Sequence, residues 1–279
     1  MMTASTTNRR VLQEESEIGC GNPGENLMST NVALILAAGN GSRLKNVSGT
    51  LPKPLVSFNG RPLLEHVLLG AHDAGIDRFV IVVGYRGDLI RSWVAARHFR
   101  GMHIDFVDNT EYNKSNGISV LKGGEAIYQN FLLLMSDHIF ESETAAALLR
   151  QRVDDDGTIL AVDRKLETIF DMDDATKVRC VGDYIIDIGK ELTRYDAVDT
   201  GMFLCTPAIF TALEQATVNG NCSLSDGMRM LAAKRKFRAF DIGEAIWQDV
   251  DTPEALTFGT NIFGDGYEPN QALIEGARV

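Results

Sequence analysis

A chain of 279 residues with a formal net charge of −11 and a pI near 4.9 is too acidic to present a general nucleic-acid-binding surface. That length suits one large α/β domain or two small ones, the 44% apolar content is ordinary for a soluble globule, and no apolar run approaches the ~20 residues of a bilayer-spanning helix. Cys20, Cys180, Cys205 and Cys222 form no C-x-x-C pair and no metal-ligand spacing, which reads as reduced, buried thiols in a cytoplasmic protein.

Residues 1–30 are polar, aperiodic and without the apolar core of a secretory signal, so they read as a disordered tail, with Met28 as an alternative start. From residue 32 strands and helices alternate. Val32–Leu36 is a strand, Leu63–Ala74 a helix stopped by Gly75, and Phe79–Val83 a strand. Asp88–His98 reads as helix, His103–Val107 as strand, Ser119–Tyr128 as helix and Phe131–Met135 as strand. Thr144–Arg152 is helical and Thr158–Val162 extended. This alternation predicts crossover units and a doubly wound, mostly parallel (mixed) sheet. Past residue 163 the pattern changes. Lys177–Val181 and Tyr184–Ile188 flank Gly182-Asp183 as an antiparallel hairpin, and Met202–Cys205 is a further strand. Ala208–Thr217 and Ser225–Lys234 are helical, Phe237–Ile242 is a strand, and Asp251–Phe258 enters a helix through Thr-Pro. No linker divides the chain. The predicted division is a tail over 1–30, one domain over 31–262 whose second half carries a substrate lid, and a tail over 263–279.

The segment after the first strand carries the chemistry. Val32–Leu36 ends in Ala37-Ala38-Gly39, followed by Gly39-Asn40-Gly41, Arg43 and then Lys53-Pro54. A buried strand feeding a glycine turn gathers backbone N–H groups where a phosphate can be cradled, and Arg43 and Lys53 add positive charge. A dinucleotide fingerprint is excluded because Leu44 stands where its third glycine belongs, and no P-loop string is present. Gly-x-Gly alone is an ordinary strand-to-loop turn; the two cations at this spacing turn the reading toward a nucleoside triphosphate.

Ligands of open α/β sheets bind beyond the carboxyl ends of the strands, where Ser136-Asp137-His138 follows Phe131–Met135. Trp247-Gln248-Asp249-Val250-Asp251-Thr252 provides a second acidic point. Asp137 and Asp251 converging on a triphosphate would hold Mg²⁺, with Asp249 as the substitute ligand, on the same face as Asp251 if the strand runs through Val250. Each also has a plain alternative as a helix cap. His138 reads as structural, because a phosphate nucleophile is already ionised and needs no base.

Ala37 to Leu44 with Lys53-Pro54 resembles the signature of the nucleotidyltransferases that join a phosphorylated small molecule to an NTP and release pyrophosphate. Asn116-Gly117-Ile118-Ser119 looks like the N-G-x-S loop of cytidylyltransferases. Met135-Ser136-Asp137-His138, Asp174-Ala175-Thr176-Lys177-Val178-Arg179, Ile188-Gly189-Lys190-Glu191-Leu192, Val198-Asp199-Thr200-Gly201 and Trp247–Thr252 resemble, in order, motifs of the CTP:inositol-1-phosphate cytidylyltransferases. Ser136 replaces a glycine of that pattern and Asp174 a glutamate. The resemblance implies a Rossmann-like nucleotidyltransferase fold and transfer of CMP from CTP to inositol 1-phosphate; phosphocholine, a phosphonate or a sugar 1-phosphate are the alternative acceptors, and a non-catalytic nucleotide-binding regulator the alternative class. It implies Arg43 and Lys53 on the triphosphate, and Ala37, Ala38, Gly39, Gly41, Asn116, Gly117 and Ser119 around the nucleotide. Asp137 and Asp251 would hold Mg²⁺, and Lys177, Asp199, Thr200 and Gly201 the acceptor. The expected partners are CTP and a phosphorylated small molecule, with a homodimer as the candidate assembly. Members often carry a fused membrane domain that uses the CDP-alcohol; these 279 residues contain no such segment.

Overall fold

The computed structural model describes residues 30–44, 49–264 and 274–276; the predicted N-terminal tail up to residue 29 and most of the C-terminal one lie outside the described residues. The first strand, Val32–Ala37 (β1), is apolar throughout because it is covered on both sides. Val32, Leu34 and Leu36 join one hydrophobic cluster and Ala33, Ile35 and Ala37 another, as the two-residue repeat of a central strand requires. Leu63–Asp73 (α1), Arg78–Val83 (β2), Gly87–Ala95 (α2), His103–Asp108 (β3), Asn116–Gly123 (α3) and Phe131–Met135 (β4) follow. β1 is parallel to β2 and β4, and β2 is parallel to β3. α1 and α2 pack on one face and α3 on the other, so the sheet is doubly wound.

The second half comprises His138–Phe140 (β5), Ser142–Leu149 (α4), Thr158–Asp163 (β6), Lys177–Val181 (β7), Tyr184–Gly189 (β8) and Ala197–Cys205 (β9). It closes with Ala208–Ala216 (α5), Leu224–Ala233 (α6), Phe237–Asp241 (β10), Trp247–Asp249 (β11) and Pro253–Phe263 (α7). Nine strands form one sheet in the order β7-β8-β10-β6-β9-β4-β1-β2-β3. β9 is antiparallel to both β4 and β6, so the sheet is mixed. The β7–β8 hairpin forms as predicted, with Gly182 at φ +58°, and is continuous with the main sheet.

Three elements differ from the sequence expectation. β9 begins at Ala197, because its register on β6 is interrupted between Asp199 and Phe203; an irregularity of this kind, with Gly201 at φ +78°, hides a strand from period-two reading. The expected helix over 88–98 ends early, since Arg97–Phe99 is a short strand paired with Ile274–Gly276. The helix expected to start at Ser119 starts at Asn116, and Gly123 ends it where it rests directly on Leu34.

A third, smaller cluster lies beneath the ends of these elements: Leu44, Val56, Phe58, Leu63, Ile139 and Val250, all buried. His66 of α1 braces it, with Nε2 donating to the Phe58 carbonyl at 2.8 Å and its ring edge-on to Phe58. Burial pushes the His66 pKa down to about 4. A folded pKa below the unfolded one means that stability is full above about pH 6.5 and falls as pH drops toward 4. The expected loss is about 3 kcal/mol over that window. Urea midpoints at pH 7.5 and 4.5 should show His66→Gln losing less stability on acidification than the natural chain; equal losses would mean that His66 is not the responsible group.

Candidate active site

The glycine turn is shaped by a side chain as well as by amides. Gly41 has φ +53°, and a Cβ there would sit 2.6 Å from Lys53 Cβ. The bare glycine therefore lets the Lys53 segment close against the turn. Lys53 opens a 3₁₀ turn, Lys53–Leu55, entered through Pro52, and Arg43 lies in another, Ser42–Leu44. In each case the neighbouring apolar residue, Leu44 or Val56, anchors the turn in the small cluster.

The acids arrive from the opposite side. β5 pairs antiparallel with β11, setting His138 opposite Asp249, and the Val250 amide donates to the Asp137 carbonyl at 3.0 Å. Ile139 and Val250 point down into the small cluster, which directs His138, Asp249 and Asp251 the other way; Asp137, in the turn before β5, joins them by pairing with Lys53 and His138. Neither aspartate named as a metal ligand is a cap. Thr252 caps α7, its hydroxyl accepting from the Ala255 amide at 3.1 Å, and Asp137 lies before β5.

Lys53 is the hub. Only 8% of its side chain is exposed, and Nζ is paired with Asp137 and Asp251, with Asp249 at 3.8 Å. Burial alone would lower the Lys53 pKa, but the three carboxylates outweigh it and raise it. Asp137 shows the converse: loss of hydration pushes it up, and Lys53 and His138 pull it well below the usual carboxylate range. His138 Nδ1 donates to Asp137 at 2.9 Å; burial would lower its pKa, yet Asp249 and Asp137 push it up to about 9. The raised pKa favours the imidazolium form, a poor base, and the ring is stacked on Trp247, ring centroids 5.8 Å apart. Asp249 itself rises to about 6 through loss of hydration.

Arg43 differs from Lys53. It is 47% exposed and spans Asp251 and Asp174, the latter at 2.6 Å; Asp174 also accepts from Lys190 at 2.6 Å.

Two cavities open on this cluster. The smaller, about 310 Å³, is lined by Ala37, Ala38, Gly39, Gly41, Arg43 and Lys53 from the first strand and its turns, with Asn116 and Ser119 from α3. The larger, about 560 Å³, takes in Asp199, Gly201, Trp247, Lys165 and Lys190. Asp137 and Asp251 line both.

The structure brings together most of the residues named from sequence and displaces three. Gly117 does not line the smaller cavity: a Cβ there would lie 2.6 Å from the Cys222 carbonyl, so its close approach is to the chain entering α6. Thr200 is fully buried, donating to the Ala161 carbonyl at 2.8 Å, because the interrupted register turns it into the sheet. Lys177 is 7% exposed, and its Nζ donates to the Asp173 carbonyl at 3.0 Å. The lysines that do line the larger cavity are Lys165 and Lys190. Lys190 sits inside the Ile188–Leu192 motif, so the string itself held that signal; Lys165 had none. Gly201 and Asp199 line the larger cavity, with the Gly201 amide donating to Asp199 at 2.7 Å. A Cβ on Gly201 would meet the His138 ring at 2.5 Å.

No helix among the described residues is long and apolar enough to cross a membrane. Residues 33–233 match the MobA-like NTP transferase domain. A bifunctional IPC transferase and DIPP synthase of Rubrobacter xylanophilus is 36% identical over 226 residues, covering 80% of this chain and 50% of that protein. Its counterpart in Aquifex aeolicus is 34% identical over 223 residues, 80% and 49% respectively. The chain thus spans about half the length of these curated relatives. Among solved structures, the inositol-1-phosphate CTP transferase from T. maritima superposes with a TM-score of 0.73 at 27% identity, covering 81% of this chain and 91% of that one.

Charge balance at Lys53 generates a direct expectation. Lys53→Met leaves three facing carboxylates without their buried cation and should destabilise the protein by about 3–5 kcal/mol in metal-free buffer. Chemical denaturation would measure it, and a variant as stable as the natural chain would refute the balance described.

Proposed function

The chain belongs to the MobA-like NTP transferase domain family, and on that footing we propose that it transfers CMP from CTP to inositol 1-phosphate, giving CDP-inositol and pyrophosphate. The observation that carries this reading is the meeting of two cavities at Asp137 and Asp251, one walled by the glycine turn and the other by acids, two lysines and Trp247. The choice of CTP and of an inositol phosphate is supported by the likeness to the inositol-1-phosphate CTP transferase and by the motifs over residues 32 to 256.

The nucleotide occupies the smaller cavity, its phosphates against the turn amides and Arg43 and Lys53. Arg43 can engage two phosphate oxygens at once. The acceptor occupies the larger cavity, where Lys190 attracts its phosphate and Asp199 accepts hydrogen bonds from its hydroxyls. An oxygen of the acceptor phosphate attacks the α-phosphorus in line as the bond to the β-phosphate oxygen breaks and pyrophosphate leaves. Both reactants are anions, so the chain's contribution is positioning and charge stabilisation.

The residues also fit a divalent ion. Asp249 Oδ1 is buried and accepts no hydrogen bond among the described residues, and Asp137, His138 and Asp249 offer ligand atoms within 4.8 Å of one another. Asp137 and Asp249 offer carboxylate oxygens, the ligand type Mg²⁺ prefers, and Asp251, which lines the same two cavities as Asp137, would add a third. Bound there, Mg²⁺ supplies positive charge to the α-phosphate and the departing pyrophosphate.

A pyrophosphate-release panel tests the reading. CTP, UTP, GTP and dTTP are each paired with inositol 1-phosphate, phosphocholine, hexose 1-phosphates and aminoethylphosphonate. CTP with inositol 1-phosphate should give the highest kcat/KM; a faster pair would replace the substrate named here. CTP binding without turnover of any acceptor would instead mark a non-catalytic nucleotide binder. Asp137→Ala should retain its fold by circular dichroism and lose at least ~100-fold in rate, as expected when several kcal/mol of charge stabilisation are removed.

A further inference from the structure

Residues 164–176 cross from β6 to β7 over the larger cavity. Phe170 on this strap packs against Phe258 of α7, ring centroids 4.8 Å apart, and Asp174 ends it on two cations. One carboxylate oxygen of Asp174 meets Arg43, which lines the nucleotide cavity; the other meets Lys190, which lines the acceptor cavity, each at 2.6 Å. Arg43 and Lys190 pull the Asp174 pKa down against its partial burial, so it is a carboxylate at neutral pH.

We propose that Asp174 is a positioning residue that competes with the incoming triphosphate for Arg43 and so sets the affinity for the nucleotide. The inference rests on the nucleotide site described above. The two cations of that site are held very differently. Lys53, 8% exposed among three carboxylates, is locked in place. Arg43 is 47% exposed and Asp174 34%, and an ion pair this wet is worth little. A triphosphate carries several charges and takes the guanidinium fork bidentately, so it displaces Asp174. Asp174 then retains Lys190, and the strap is freed from the glycine turn while Phe170 stays on Phe258. Without a nucleotide, Asp174 keeps Arg43 and Lys190 neutralised, which suits a site that would otherwise attract any phosphate.

Titration calorimetry of CTP with Mg²⁺ tests this. In Asp174→Asn, Arg43 keeps only its pairing with Asp251 and loses the charge that competes from the strap, and the Kd for CTP should fall about fivefold. Asp174→Glu restores the competitor and should bind CTP within about twofold of the natural chain. In the pyrophosphate assay the KM for CTP should fall in Asp174→Asn in step with the Kd. A role confined to folding would not tighten binding. Unchanged or weaker CTP binding in Asp174→Asn, or equal affinities in the Asn and Glu variants, overturns the competition and leaves the functional reading intact. Failure of the natural chain to bind any nucleoside triphosphate overturns both.

Discussion

The site depends on one arrangement: a lysine withdrawn from water between three aspartates, above a small apolar cluster that anchors every segment contributing them. Leu44 lies beside Arg43, Val56 follows the Lys53 turn, Ile139 follows His138, and Val250 separates Asp249 from Asp251. Each apolar neighbour is drawn downward by burial, and the charged residue next to it is thereby turned upward. Desolvating four charges costs several kcal/mol per ion. The arrangement is stable because Lys53 opposes the carboxylates at close range and because elements on both sides are tied by backbone bonds, such as Val250 to Asp137.

This explains how a chain of net charge −11 can receive anionic substrates. Positive charge is concentrated at a few points, and each is paired with a carboxylate until an anion arrives. The degree of burial divides the labour. Lys53 is fixed and defines the common wall of the two cavities. Arg43 and Lys190 are wetter and meet on Asp174. His138 completes the balance: bonded to Asp137 and stacked on Trp247, it braces the acids.

Much of this was legible in the amino-acid string. The alternation of apolar strands and helices marked a doubly wound sheet, since β1 must be apolar on both faces to lie at its centre. The glycine turn, Arg43, Lys53 and the two acidic strand ends were recognisable as residue types the chemistry requires. What was not legible depended on partners far away in sequence. The irregular register of β9 on β6 decides that Gly201 meets His138 while Thr200 turns into the sheet. Lys177 and Lys190 flank the same hairpin, β7–β8, yet only the second lines the larger cavity. Gly117 was read as making room for a base, and it makes room for Cys222.

The sequence by itself determined the order of elements and the kinds of side chain at the carboxyl ends of the strands, because local periodicity and turn chemistry are properties of neighbours along the chain. Only the tertiary structure decided which of those side chains share a cavity. A single-residue change of register reverses the face a strand presents, and the salt bridge that joins Arg43 to Asp251 links residues 208 positions apart.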